Sequence, residues 1–252
     1  MVKYALITGA SSGFGTAIAE TLAKEGFGLV LFARRFERLE SLKRKLEPIT
    51  KHIILVAVDV RNQAAVDDAV NELPLNIKEA LEILVNNAGL AAGRAPIEDG
   101  SLADWEQMID TNLKGLLYVT KAVIPWLKGK GNPMVINITS IAGKEAYPQG
   151  NVYCATKAAV DQLTKAMRMD LLPYGIRVSS IAPGAAETEF SLVRFKGDQA
   201  QADAVYKGFN PLVAQDIADA VQFIVSRPSH VSIHDMVIMP SAQASATLFN
   251  KS

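Results

Sequence analysis

Tyr153 and Lys157 set the terms for any chemistry in this chain. They fall in an amphipathic stretch read as a helix over Val152–Leu172, where a spacing of four puts a phenol and a primary amine on one face, one turn apart. Upstream, the run Asn137-Ile138-Thr139-Ser140-Ile141-Ala142-Gly143 ends a strand-like segment on two hydroxyls. That is the carboxyl edge at which an α/β sheet meets its ligand. Asn112 lies inside a predicted long helix, where its carboxamide competes with the backbone for hydrogen bonds. Phenol, amine, hydroxyl and carboxamide can together hold a polar ligand and pass protons. Cys154 points about 100° around the helix from Tyr153 and reads as a small packing residue. Trp105, Trp126 and the methionines read as core or interface.

A second group of residues suits a nucleotide. Thr8-Gly9-Ala10-Ser11-Ser12-Gly13-Phe14-Gly15 follows the first predicted strand and opens the first helix. Its glycines let the backbone turn tightly and approach a pyrophosphate at the positive helix end, although a Gly-rich turn can also be only a tight connection. The second strand ends Phe32-Ala33-Arg34-Arg35. Ala33 stands where an acid would hold a ribose 2′-hydroxyl, and two guanidiniums follow that can fork a 2′-phosphate, which favours NADP over NAD. The alternative is that Arg34 and Arg35 only begin a solvated helix. Two readings of Asp59, ahead of Val60, also stand: an acceptor for the adenine amino group, or a cap for the following helix. Asn86-Asn87-Ala88-Gly89 ends the fourth strand with small residues and amides suited to close passage of a cofactor, or to a turn.

These residues need a frame that brings strand ends together. Short apolar runs alternate with amphipathic stretches throughout, which is the pattern of βαβ units. Strands are expected at Lys3–Thr8, Gly28–Ala33, His52–Val58, Ile83–Asn86, Pro133–Thr139, Ile176–Ala182 and Ser232–Met239. Helices are expected at Gly13–Glu25, Phe36–Leu46, Gln63–Leu73, Leu102–Leu127, Val152–Leu172 and Gln215–Val225. The fold class is α/β: one Rossmann-type, doubly wound domain over 1–252 with a seven-stranded parallel sheet covered by helices. Pro183 to Pro211 breaks the regularity and is read as a loop that forms a substrate lid over about 184–211.

Composition narrows the function further. The chain has 252 residues, 49% hydrophobic and 21% charged, enough to bury a core without disulfides or metals. Twenty-six basic and twenty-six acidic side chains leave no net charge to attract nucleic acid. No apolar run reaches the roughly 18 residues of a membrane span, and Met1 leads at once into a strand, leaving no room for a signal peptide. A cytoplasmic protein is expected. Cys154 has no cysteine partner, and His52, His230 and His234 are too scattered for a metal site.

In order and separation, Thr8–Gly15, Asn86–Gly89, Asn112, Ser140, Tyr153 with Lys157, and Pro183-Gly184 resemble the short-chain dehydrogenase/reductase family over essentially the whole chain. The resemblance implies Tyr153 as general acid/base, Ser140 holding and polarising the substrate oxygen, and Lys157 on the nicotinamide ribose, lowering the Tyr153 pKa. It implies Asn112 in a water-linked proton relay, Pro183 and Gly184 beside the nicotinamide, and Thr188 near its carboxamide or the phosphates. A phenol of pKa about 10 is a poor base near neutrality, so a cation one turn away would supply the needed correction. The cofactor contacts then run through Gly9, Ser11, Ser12, Gly13, Phe14, Gly15, Arg34, Arg35, Asp59, Val60, Asn87, Ala88 and Gly89. A homotetramer is also implied, with Leu102–Leu127 and Val152–Leu172 forming one two-fold interface.

Within the family, Asp110-Thr111-Asn112, Gly150-Asn151-Val152-Tyr153, Thr188-Glu189-Phe190 and Val193–Asp198 resemble NADP-dependent 3-hydroxy acid dehydrogenases acting on serine and related acids. Ala185-Ala186-Glu187 departs from that pattern. A small acid needs a cationic anchor, for which Arg194, Lys196 and Lys144 are candidates, unless Arg194 pairs with Glu187 or Glu189 inside the lid. The expected activity is hydride transfer between NADP and the carbinol of a short 3-hydroxy acid. The alternatives are a 3-oxoacyl thioester or general carbonyl reductase, and a non-catalytic NADP sensor on the same fold.

Overall fold

A computed structural model describes residues 2–251; Met1, part of the signal-peptide argument, lies outside them. Apolar side chains on both faces of the central strands build the sheet. In β1 (Tyr4–Thr8), Ala5 and Ile7 enter one core while Tyr4 and Leu6 enter the other. In β2 (Gly28–Ala33), Leu29 and Leu31 oppose Val30 and Phe32 in the same way. β3 (Ile53–Ala57), β4 (Leu81–Asn86), β5 (Met134–Ile138), β6 (Arg177–Pro183) and β7 (Asp235–Ile238) complete a seven-stranded sheet, ordered β3-β2-β1-β4-β5-β6-β7 and parallel throughout. The expected doubly wound sheet is the one observed. β4 starts at Leu81, two residues earlier than expected, and β7 is only four residues long.

The helices follow in chain order as α1 (Gly13–Lys24), α2 (Phe36–Leu46), α3 (Gln63–Asn71), α4 (Leu75–Glu79) and α5 (Leu102–Ile109). Then come α6 (Leu116–Leu127), α7 (Asn151–Leu171), α8 (Glu189–Arg194), α9 (Gln199–Ala204) and α10 (Ala214–Val225). Leu39, Leu42, Val221 and Ile224 bring α2 and α10 onto the face covered by α1. Val66, Val123 and Val160 bring α3, α6 and α7 onto the other. Each such buried side chain contributes about 1.5–3 kcal/mol of transfer free energy, so both faces are firmly covered. A smaller third cluster, including Leu90, Met108, Tyr153 and Cys154, lies beyond the strand ends.

Three departures from the expected elements concern the site. The stretch Leu102–Leu127 is not one helix: a π-helical turn, Asp110–Gly115, separates α5 from α6. Asn112 lies in that turn with its side chain bonded to a neighbouring segment, and a Cβ on Gly115 would come within 2.8 Å of the Val60 side chain. A widened turn is how a helix aims an inward carboxamide while keeping its apolar stripe on the sheet. The stretch expected to form the lid, 184–211, is not an irregular loop either, because it contains α8 and α9. The Thr188 hydroxyl accepts from Phe190 N and Asp198 accepts from Gln201 N, capping them. Six residues, like the five of α4, are too few to carry a readable 3.6-residue period.

Candidate active site

The strand order reverses between β1 and β4, whose carboxyl ends lie side by side. The Thr8 hydroxyl accepts from Asn87 N at 3.0 Å and Ala88 N at 2.9 Å, and Asn87 Nδ2 donates back to Thr8 O at 2.9 Å and Gly9 O at 3.2 Å. This lattice leaves no room for larger residues. A Cβ on Gly9, which has φ +66°, would sit 2.9 Å from Ala88 Cα, and one on Gly15 would collide with the Gly9 carbonyl. The loop therefore offers bare backbone at the positive end of α1, an arrangement suited to a phosphate. Phe14 packs on the core, and Gly13, at φ +51°, faces Thr188 of the lid, which its Cβ would approach to 3.4 Å.

The two arginines after β2 differ. Arg34 is exposed, and its charge is felt by Asp59 without a bond. Arg35 Nη2 donates to Ser12 Oγ at 2.9 Å and Ser11 Oγ at 3.4 Å, while its Nη1 donates to Glu189 Oε2 at 3.1 Å. Arg38, which the sequence reading missed although it lies one turn into α2, also pairs with Glu189. Asp59 does not cap α3; that cap is Asn62, whose carboxamide oxygen accepts from Ala65 N. Arg61 forks Asp59 instead and holds its carboxyl below the usual range. Val60 is buried against Gly115.

At the ends of β5 and α7, four expected residues converge. Asn112 Oδ1 accepts from Leu90 N at 2.8 Å, and its Nδ2 donates to Leu90 O at 2.9 Å and Thr156 Oγ1 at 3.1 Å. Lys157 Nζ donates to Ile138 O at 3.0 Å, and burial pulls its pKa down to about 8. A Cβ on Gly89 would meet Asn112 Oδ1 at 3.2 Å and Lys157 Nζ at 3.3 Å, so these groups surround that glycine. Ser140 Oγ accepts from Ala142 N at 3.1 Å and lies near enough to the Tyr153 phenol to lower its pKa. Burial pushes the Tyr153 phenol well above its ordinary range, while Ser140 and the Arg194 charge act in the opposite direction. Among the charges that act on the ligand-free phenol, that of Arg194 lowers its pKa. Pro183 ends β6, and Gly184 follows with N–H donated to Ile238 O and a Cβ position blocked by Met239 and Gln243.

Tyr153 and Arg194 line one cavity of about 280 Å³, together with Gly93, Asp104, Trp105 and Lys196. Arg194 Nη1 donates to Tyr147 Oη at 2.8 Å, and the guanidinium carbon lies 5.4 Å from the Tyr147 ring centre and 5.7 Å from that of Tyr153. Its Nε is buried without a partner. It pairs with neither Glu187 nor Glu189, since Glu189 is taken by Arg35 and Arg38. Lys196 is held by Asp104 at 2.9 Å. Lys144 is not available as a substrate anchor: it bridges Asp161 and Asp235, tying the Ser140 loop to α7 and β7. Sequence reasoning also missed Tyr147, Thr156 as a hydrogen-bond partner, and Phe190, whose ring lies 5.6 Å from that of Tyr153. Only Thr156 had a signal, its place three residues after Tyr153 on the same helix. Among the described residues, no group of acids, histidines and cysteine could hold a metal, and no helix is long and apolar enough to cross a membrane.

Known proteins resemble this chain along nearly its whole length. A sulfoacetaldehyde reductase from Chromohalobacter salexigens is 45% identical over 97% of this chain and 96% of its own length. An NADP-dependent 3-hydroxy acid dehydrogenase from Salmonella typhi is 43% identical over 96% of this chain and 97% of its own. The closed form of a serine dehydrogenase complexed with NADP+ superposes with a TM-score of 0.92 at 41% identity, over 99% of both chains. The short chain dehydrogenase model matches residues 3–198, which span the Gly-rich loop, the Ser140 loop, Tyr153 with Lys157 and the first half of the lid. The chain therefore belongs to the short chain dehydrogenase family.

Proposed function

We propose that this chain is an NADP-dependent oxidoreductase for small molecules that carry an anionic group one carbon away from the reacting carbinol or carbonyl carbon, such as 3-hydroxypropionate and serine. The observation that carries the reading is that Arg194, whose buried Nε has no hydrogen-bond partner, lines the same 280 Å³ cavity as Tyr153. A guanidinium with a free donor there can fix an anion and leave the carbinol against the phenol. The names of the relatives fit one chemical class, since a 3-hydroxy acid and sulfoacetaldehyde both set an anion one methylene from the reacting carbon. A long thioester would have to enter past Arg194, Lys196 and Asp104, which disfavours the acyl reductase alternative. A sensor would not need Tyr153, Lys157, Ser140 and Asn112 together.

The residues present suit the coenzyme. Bare backbone at Gly9, Gly13 and Gly15 supports the pyrophosphate, and the unbonded Arg34, with Arg35, supports the 2′-phosphate. When bound, NADP takes up or returns the hydride. Tyr153 moves the proton at the substrate oxygen. Its raised pKa keeps the phenol protonated near neutrality, which readies it to donate in the reducing direction. Ser140 shares the substrate oxygen and stabilises charge developing on it. Lys157 and Asn112 line the ribose side and connect the phenol to solvent through a relay. Exposed Leu102, Met169 and Leu172 support assembly into a homotetramer through α5–α7. We assign the protein to the cytoplasm.

The test is a spectrophotometric screen with NADP and NAD against serine, 3-hydroxypropionate, 3-hydroxyisobutyrate, 3-oxoacyl thioesters and simple alcohols, with sulfoacetaldehyde and NADPH in reverse. The reading expects turnover of anionic substrates with NADP. Preference for thioesters or uncharged alcohols contradicts it, and NADPH binding without any turnover favours the sensor.

A further inference from the structure

The helix α8 is six residues long and has an ionised side chain at each end. A helix this short does not hold its own shape in water, so its position is set by what its side chains grip. At the N-terminal end, Glu189 accepts from Arg35, just ahead of α2, and Arg38 in its first turn, more than 150 positions away in sequence. At the C-terminal end, Arg194 stacks on Tyr147 and Tyr153, and its carbonyl accepts from Gly93 N at 2.9 Å. Between them, Ser191 and Tyr206 share a hydrogen bond of 2.6 Å, and Tyr206 donates to Ala186 O, which fastens the middle of the helix to the lid itself rather than to the sheet. Among the described residues, the polar side chains that tie α8 to the rest of the fold lie at its two ends.

We propose that Glu189 is a positioning residue for Arg194: by fixing the start of α8 on Arg35 and Arg38, it seats the guanidinium at the far end in the substrate cavity. The same link joins the arginines next to the Gly-rich loop to the residue that reads the substrate anion. The inference rests on Arg194 as the anion anchor, and it is stronger than a single surface ion pair would allow. One carboxylate serves two guanidiniums, and Arg35 is itself braced by Ser11 and Ser12.

Glu189→Gln tests it with two independent readouts. In ligand-free protein, trypsin should cut the lid after Arg194, Lys196 or Lys207 about fivefold faster than in wild type, a size set by half-exposed ion pairs. In turnover, KM for 3-hydroxypropionate should rise by about the same factor with kcat within about twofold, while KM for its methyl ester stays unchanged. Arg38→Gln, which leaves Arg35 in place, should move both readouts in the same direction by less. An unchanged cleavage rate overturns the tether, whatever the substrate. Faster cleavage with equal KM rises on acid and ester shows that Glu189 holds the lid without positioning Arg194, and overturns the proposal. Arg194→Ala, run beside these variants, separates this failure from that of the function: if it fails to distinguish acid from ester, the anion reading falls and the positioning role falls with it.

Discussion

The Gly-rich loop and the lid face each other across the same sheet edge, yet they are held in opposite ways. The loop is locked by close backbone packing: Thr8, Gly9 and Asn87 exchange hydrogen bonds, and a single added Cβ on Gly15 would strike the Gly9 carbonyl. The lid is held by side chains that are partly in water, with Arg35, Arg38 and Glu189 about 40% exposed. Close backbone contact gives a cradle of fixed shape. Exposed ion pairs are worth little individually and give a cover that can release. A dehydrogenase needs both, because the coenzyme must be held in register while the substrate comes and goes.

Tyr153 stands where the two regions meet, against Ser140 on one side and Phe190 and Arg194 on the other, so its loss should be the largest effect. Tyr153→Phe should lower kcat by about a thousandfold or more while NADPH binding, read by fluorescence titration, stays near wild type. Near-native kcat would remove Tyr153 from the proton-transfer role. Gly15→Ala breaks the cradle alone. It should cost about 1–3 kcal/mol or more of stability and weaken NADPH binding together, seen as a lower Tm and a raised Kd. A variant with wild-type values for both would mean that the loop yields as easily as the lid.

Coenzyme choice tests the exposed rim of the cradle. Arg34→Ala should reduce the NADP over NAD preference in kcat/KM by roughly tenfold to a hundredfold, the worth of a charged hydrogen bond. A wild type that prefers NAD contradicts the assignment. The smallest effect belongs to Lys157. Burial holds its amine at about 8 in the folded chain, below the ordinary 10.5, so the unfolded chain binds the extra proton between those values. Stability from this site therefore rises as pH climbs from about 8, until ionisation of tyrosine in the unfolded chain opposes it above about 10. The Tm of ligand-free wild type, measured against Lys157→Met, should gain a few degrees between pH 7 and 9.5. A gap that does not change with pH contradicts buried, depressed Lys157.

What the sequence revealed follows the same division. The cradle is local, since Gly9, Gly13 and Gly15 lie within seven residues straight after the first strand, so spacing together with place in the chain points to it. The sheet was legible because strands buried on both faces are continuous apolar runs. The π turn at Asn112 was hidden because a single inserted residue barely disturbs the apolar stripe of Leu102–Leu127. The lid was hidden for another reason. Arg35 and Glu189, like Tyr147 and Arg194, are partners only in three dimensions, and hydrogen-bonded pairs separated by 154 and 47 residues leave no periodic trace. Lys144 misled by its nearness to Ser140 in sequence; its amine turns away to Asp161 and Asp235.

The central claim is that a fixed cradle for coenzyme works with a lid that reads an anion through Arg194. The most direct test compares wild type with Arg194→Ala on 3-hydroxypropionate and on its methyl ester, measuring kcat/KM for all four combinations with NADP. Removal of the guanidinium should cost on the order of 2–4 kcal/mol on the acid and little on the ester, because only the acid loses a charged hydrogen bond and the positioning it supplies. Equal losses on both substrates would contradict the claim and leave Arg194 as a prop for the lid.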